Sequence, residues 1–123
     1  MKKEDLFEHI RQLSVRIVAL TDVLPETRAA RIIATQLLRS ATSIGANYHA
    51  ACFAKSKRDF INKLKIVEEE TDETIYWLDL IQSCNWFSPG KIDNLRADYS
   101  GLMAIFVASI KTAKANTRKK IDN

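Results

Sequence analysis

The side chains of this chain that could do chemistry fall into three groups, and the acidic one is the most visible. The run Glu68-Glu69-Glu70-Thr71-Asp72-Glu73 places five carboxylates in six positions. Inside a helical bundle such carboxylates can hold two metal ions, but that centre also takes a Glu-x-x-His pair from each of two helices. Neither His9 nor His49 stands three residues after a Glu. The run therefore reads as structural, with one or both of Glu70 and Asp72 pairing with Arg39 or another base on a facing helix. His49 and Cys52 are three apart and can share a helix face, yet zinc takes three or four ligands and nothing nearby supplies the rest. No metal and no cofactor is expected. Nor is a catalytic nucleophile: no elbow motif precedes a serine, and Gly45, Gly90 and Gly101 are solitary, so no glycine-rich loop cradles a phosphate. The chain reads as a non-enzyme with no small-molecule substrate, and stoichiometric metal in the purified protein would be needed to revive a metal-dependent alternative.

Basic residues form the third group, in two clusters. Lys55, Lys57, Arg58, Lys63 and Lys65, with Arg39 and His49 upstream, surround one link between helical segments. Lys111, Lys114, Arg118, Lys119 and Lys120 load the end of the last segment, where positive charge complements the helix dipole. Charge of one sign gathered at one end of a molecule can grip a phosphate backbone. Its plainer role is to keep a helix end solvated.

The elements that must position these groups are helices. The chain has 123 residues, 46% apolar and 28% charged, with three glycines and two prolines. That is one soluble domain, residues 1–123, with too few turn-formers for an all-β fold. No window reaches the length of a membrane span, and the start of the chain runs directly into an amphipathic pattern, so a cytoplasmic protein is expected. The formal net charge of +4 is compatible with a nucleic-acid partner without requiring one.

Four apolar stripes recur at helical spacing. Leu6, Ile10, Leu13, Ile17, Leu20 and Leu24 predict a helix over 4–22, ended by Pro25. Ala30, Ile33, Leu37, Ser40, Ile44, Asn47 and Ala51 predict one over 26–53, with Pro25 suited to its entry. The second half of that helix is rich in small residues, and Gly45 within it points to close packing. Ser56-Lys57-Arg58-Asp59 has capping-box spacing before Phe60, Leu64, Val67, Thr71, Thr74, Leu78 and Ile81, a helix over 57–85. The two threonines can bond carbonyls of their preceding turns. Ser88-Pro89 resembles another start, for Ile92, Leu95, Tyr99, Leu102, Phe106, Ser109 and Ala113 over 89–119. Short links make consecutive helices antiparallel neighbours, so an all-α, up-down-up-down antiparallel four-helix bundle is expected. This topology brings both basic clusters to one pole. It also places Cys52 and Cys84 at opposite ends, roughly 40 Å apart, as free thiols of a reducing compartment.

Apolar residues are left over outside these stripes. Ile66 and Leu80 share a heptad position on the third helix, flanked by Tyr76 and Trp77, while Val15, Val18, Ile32, Leu38 and Val107 lie off the other seams. A second stripe on a long helix often marks a partner surface, the plainer alternative being a broad core face with one or two exposed residues; self-association is expected, with Tyr76, Trp77 and Leu80 as its candidate residues.

The stretch Gln36-Leu37-Leu38-Arg39-Ser40-Ala41-Thr42-Ser43-Ile44-Gly45-Ala46-Asn47-Tyr48-His49-Ala50-Ala51 resembles the small-residue second helix of the 23S rRNA intervening-sequence (S23-like) family. Ala54-Lys55-Ser56-Lys57-Arg58-Asp59-Phe60-Ile61-Asn62-Lys63-Leu64 and Glu70-Thr71-Asp72-Glu73-Thr74-Ile75-Tyr76-Trp77-Leu78 are similar to it as well. The resemblance is specific over residues 36–80 and covers the rest in layout. It implies a bacterial four-helix bundle assembled into a ring-like homopentamer. It also implies kinship with the accessory variability proteins of diversity-generating retroelements, basic barrels that associate with nucleic acid and a reverse transcriptase. Two features depart from the family pattern: Gly45 stands where many members have proline, and Ala51-Cys52 where they have an acidic residue and glycine. Both bear on how the second helix ends.

The expectation is thus a homo-oligomer that contacts RNA or DNA phosphates through Lys55, Lys57, Arg58, Lys114 and Arg118, without reading bases. The alternative is a scaffold that presents its assembled surface to another protein and binds no nucleic acid.

Overall fold

A computed structural model describes residues 2–122, and side chains as far as Arg118. The first stripe is buried along its whole length, from Leu6 to Leu24, on helix α1, Lys3–Asp22. The N–H of Val23 closes it on the carbonyls of Leu20 and Thr21, and Pro25 prevents its continuation.

Helix α2 is Arg28–Cys52, starting two residues later than the proline suggested. Thr27 is the reason: its hydroxyl accepts the Ala30 N–H at 3.1 Å and satisfies a donor that the first turn leaves open. Pro25 and Glu26 belong to the link. Ala41 and Tyr48 join the buried stripe, whereas Ile33 and Asn47 are half-buried. Tyr48 points to the bundle interior, with Phe7 at 5.8 Å on one side and Phe106 at 6.1 Å on the other. The helix passes through Gly45 unbroken, so proline's absence there leaves α2 continuous. The close packing expected of Gly45 is not found: a Cβ would sit 3.5 Å from Ile10 Cγ2, an ordinary contact.

Helix α3, Lys57–Ser83, begins at the expected cap. Ser56 Oγ accepts the Asp59 N–H at 3.0 Å, while the Asp59 carboxylate reaches back to the Lys55 N–H at 3.4 Å. Ile61 rather than Phe60 opens the buried stripe, and Leu64 to Ile81 follow as read. Thr71 donates to the Val67 carbonyl at 2.7 Å. The Thr74 and Ser40 hydroxyls lie 2.9 Å apart, each within reach of a carbonyl of its own helix. The buried polar atoms between α2 and α3 are thereby satisfied, which is what permits them there. Helix α3 ends at Ser83 and not at 85, because Asn85 takes a left-handed conformation (φ 58°) just beyond the cap.

Helix α4 is Asp93–Asp122. The Ser88-Pro89 signal leads into turns instead of a helix: Gly90 has φ 86°, and Lys91 and Asp93 bond back to the Ser88 and Gly90 carbonyls at 3.2 Å each. Left-handed backbone at Gly90 cannot lie in a right-handed helix. Ile92 to Phe106 are buried as expected, but Ile110 closes the stripe, with Ser109 and Ala113 half-buried.

Each helix packs on the next, most extensively α2 on α3, and α1 meets α4 along the thinnest seam. Cross-links fix the directions. Arg16, late in α1, reaches Asp98, early in α4, at 2.6 Å; Asp79, late in α3, meets Arg96 of α4 at 2.6 Å. This is the arrangement of an up-down four-helix bundle. Among the described residues no helix is long and apolar enough to cross a membrane.

Candidate nucleic-acid interface

The fold carries the starts of α1 and α3 and the ends of α2 and α4 to one pole. A groove of about 890 Å³ marks their meeting: Lys3 and Leu6 of α1, Cys52 of α2, Lys57 and Phe60 of α3, and Thr112 and Asn116 of α4 line it. Lys55, Lys57 and Arg58 are exposed around the α2–α3 link, and Lys111, Lys114 and Arg118 are exposed along the last described turns of α4. Lys119 and Lys120 lie outside the described side chains. Among the described residues none of Lys55, Lys57, Arg58, Lys114 and Arg118 is in an ion pair, so their charge faces solvent.

Other basic residues are engaged elsewhere. Lys63 bonds Asp59 at 2.9 Å and holds that carboxyl below the usual carboxylate range. Arg39 bonds Glu70 at 3.2 Å and also Glu73, whose carboxyl is likewise held down, first by that hydrogen bond. Arg39 thus takes two members of the acidic run, one of them expected. Lys65 lines a shallow site with Glu68, Glu69 and Asp72. Among the described residues no three His, Cys, Asp or Glu side chains converge as metal ligands. His49 packs instead between Phe7 and Phe53, at 5.5 and 5.0 Å. Cys52 and Cys84 are free and half-buried, at the ends of α2 and α3. The Tyr48 hydroxyl is pushed up to about 12 by burial and by the nearby Cys52.

A model of the 23S rRNA-intervening sequence protein family matches residues 2–108. The chain belongs to that family. A solved structure is similar over most of both chains: a protein of unknown function from the S23 ribosomal protein family of Bacteroides thetaiotaomicron VPI-5482. It is 34% identical, covers 90% of this chain and 99% of its own, and superposes with a TM-score of 0.82. Curated proteins yield no match.

In this 23S rRNA-intervening sequence protein the two basic clusters differ in standing. Lys55, Lys57 and Arg58 fall inside the matched residues, whereas Lys111, Lys114 and Arg118 lie beyond position 108. The surface residues Tyr76, Trp77 and Leu80 sit well away from the basic pole, on the later part of α3 and about 28 Å from Arg58 by helix rise. Tyr76 is 58% exposed, Leu80 is half-buried, and Trp77 is half-buried against the chain's own core with its indole N–H donating to Glu73 at 3.2 Å. Two members of the pole escaped the sequence reading. Lys3 lines the groove, and Phe53 stands exposed at the end of α2. The signal for Lys3 was present, since an antiparallel bundle must place the start of its first helix beside the end of its second.

Proposed function

We propose that this chain is a non-enzymatic, self-associating bundle that binds the phosphate backbone of RNA or DNA through its basic pole. One observation carries the reading. Chain topology gathers lysines and arginines from two distant segments at one end, and Lys55, Lys57, Arg58, Lys114 and Arg118 there have no carboxylate partner among the described residues. Unpaired cations of that kind displace condensed counterions from a nucleic acid, which gives affinity without base reading. The family's name refers to an intervening sequence of 23S rRNA, which makes structured RNA the first ligand to try.

Self-association, as a pentameric ring, is part of the same proposal. Val15, Val18, Ile32, Ile66 and Tyr76 are all exposed, more apolar surface than a single bundle needs. A ring would repeat the basic pole in one plane and convert weak single contacts into a multivalent one.

The test is charge reversal. The double variant Lys57→Glu, Arg58→Glu should lose binding to a labelled structured RNA while keeping the native solution mass and helicity. For any binding that remains, the slope of log affinity against log salt should shrink by about 0.9 per phosphate contact removed. Unchanged affinity in the double variant would favour the protein scaffold, whose apolar surface addresses another protein.

A further inference from the structure

We infer that the exposed aromatic corner of Phe53, His49 and Phe7 is a stacking site for an unpaired base, so that the nucleic acid held at this pole is single-stranded where it passes Phe53. This rests on the phosphate-binding reading of the pole. Phe53 caps α2 through its backbone N–H, on the carbonyls of Ala50 and Ala51, a task that needs no aromatic side chain. The ring is nonetheless 77% exposed.

It is also held in place. His49 lies 5.0 Å from Phe53, and Phe7 meets His49 edge-on at 5.5 Å. Phe7 in turn leans on Tyr48 at 5.8 Å, which ties the corner to the core. The Lys3 ammonium lies 6.0 Å from the Phe53 centroid and donates to the Cys52 carbonyl at 3.4 Å. The result is a largely exposed aromatic ring beside a recess of about 430 Å³ that Phe7, His49 and Phe53 share with Lys3, Glu4 and Glu8.

The charges about that recess nearly balance and single out no phosphate there. Glu8 is held by Arg11 at 2.5 and 2.9 Å, and the Lys3 ammonium offsets the exposed Glu4. A flat, uncharged ring needs no net charge there and gains stacking on Phe53. Lys55, Lys57 and Arg58, two to five residues further along the chain, are left to take the flanking phosphates. Proteins that bind single strands combine these two parts, and stacking tolerates any base because each has a π-face.

Three ligands of equal length separate the outcomes: a labelled single-stranded oligonucleotide, the same strand made abasic, and a duplex. Phe53→Ala should bind the single strand about tenfold more weakly, and bind the abasic strand and the duplex as the unaltered protein does. Phe53→Trp should restore the affinity, with indole emission quenched by the single strand and not by the abasic one. Equal affinity of the unaltered protein and Phe53→Ala for the single strand would remove the stacking site and leave the phosphate reading standing. A changed solution mass in Phe53→Ala would also overturn it, by making Phe53 a subunit contact. Absence of binding by the unaltered protein to all three ligands at low salt would overturn the phosphate reading and this inference with it.

Discussion

Arg39 reaches across from α2 to two carboxylates of α3, Glu70 and Glu73. Only one was expected, because spacing places Glu70 beside the seam but cannot say how far a flexible guanidinium extends. Arg39 is about half exposed, so solvent screens these pairs and their contribution to stability is small. The pH dependence has a definite sign. The Glu73 carboxyl is held below its ordinary value of 4.5, so its pairing contributes stability above that pH and loses it as pH falls through the lowered value. Arg39→Ala should therefore destabilise slightly at neutral pH and flatten the acid-side decline, as read by denaturant melts from neutral pH to about pH 3. A variant that declines as steeply as the unaltered protein would assign the acid sensitivity to other carboxylates. Residue-scale legibility was best for the buried threonines, whose carbonyl partners are fixed by helix geometry. It was poorest for Phe53, since no periodicity marks an exposed aromatic ring outside a stripe.

The helices were legible to different degrees for reasons that can be named. The first stripe is strictly spaced and was read in full, from Leu6 to Leu24. The second helix touches two neighbours and the bundle interior, so its buried face widens to Ala41 and Tyr48, beyond a one-line stripe. Both misplaced starts follow a proline. At α2 the Thr27 hydroxyl offers a better cap two residues on, and at α4 the left-handed Gly90 forbids an earlier start. Gly45 gives the element-scale prediction. Its Cβ position is open, with Ile10 Cγ2 at ordinary contact distance, so glycine there only weakens the helix. Gly45→Ala should stabilise by about 0.5–1 kcal/mol, raising the melting temperature by about 2–4 °C. A lower melting temperature would mean that α1 and α2 pack too closely at Gly45 to admit a methyl group.

At the scale of the whole molecule, the basic pole and the apolar part of α3 occupy different regions, so the proposed assembly and the proposed ligand binding can be tested separately. Tyr76→Glu with Leu80→Glu should reduce the solution mass measured by light scattering while leaving far-UV helicity unchanged, because Tyr76 lies outside the core and Leu80 is half-buried. An unaltered mass above that of one chain would contradict the assignment of Tyr76 and Leu80, and a single-chain mass for the unaltered protein would overturn the proposed assembly. Topology made the pole itself legible: once the four stripes were read as antiparallel helices, the two basic clusters had to meet. Which of those cations stay unpaired was not legible, since Lys63 and Arg39 find their carboxylates only in the folded chain. The central claim is that the remaining cations hold phosphates, and the most direct measurement is fluorescence anisotropy of a labelled structured RNA titrated with the unaltered protein at several salt concentrations. Tight binding at low salt is expected, with a linear fall of log affinity with log salt whose slope corresponds to several phosphates. Affinity that does not change with salt, or no binding even at low salt, would contradict it.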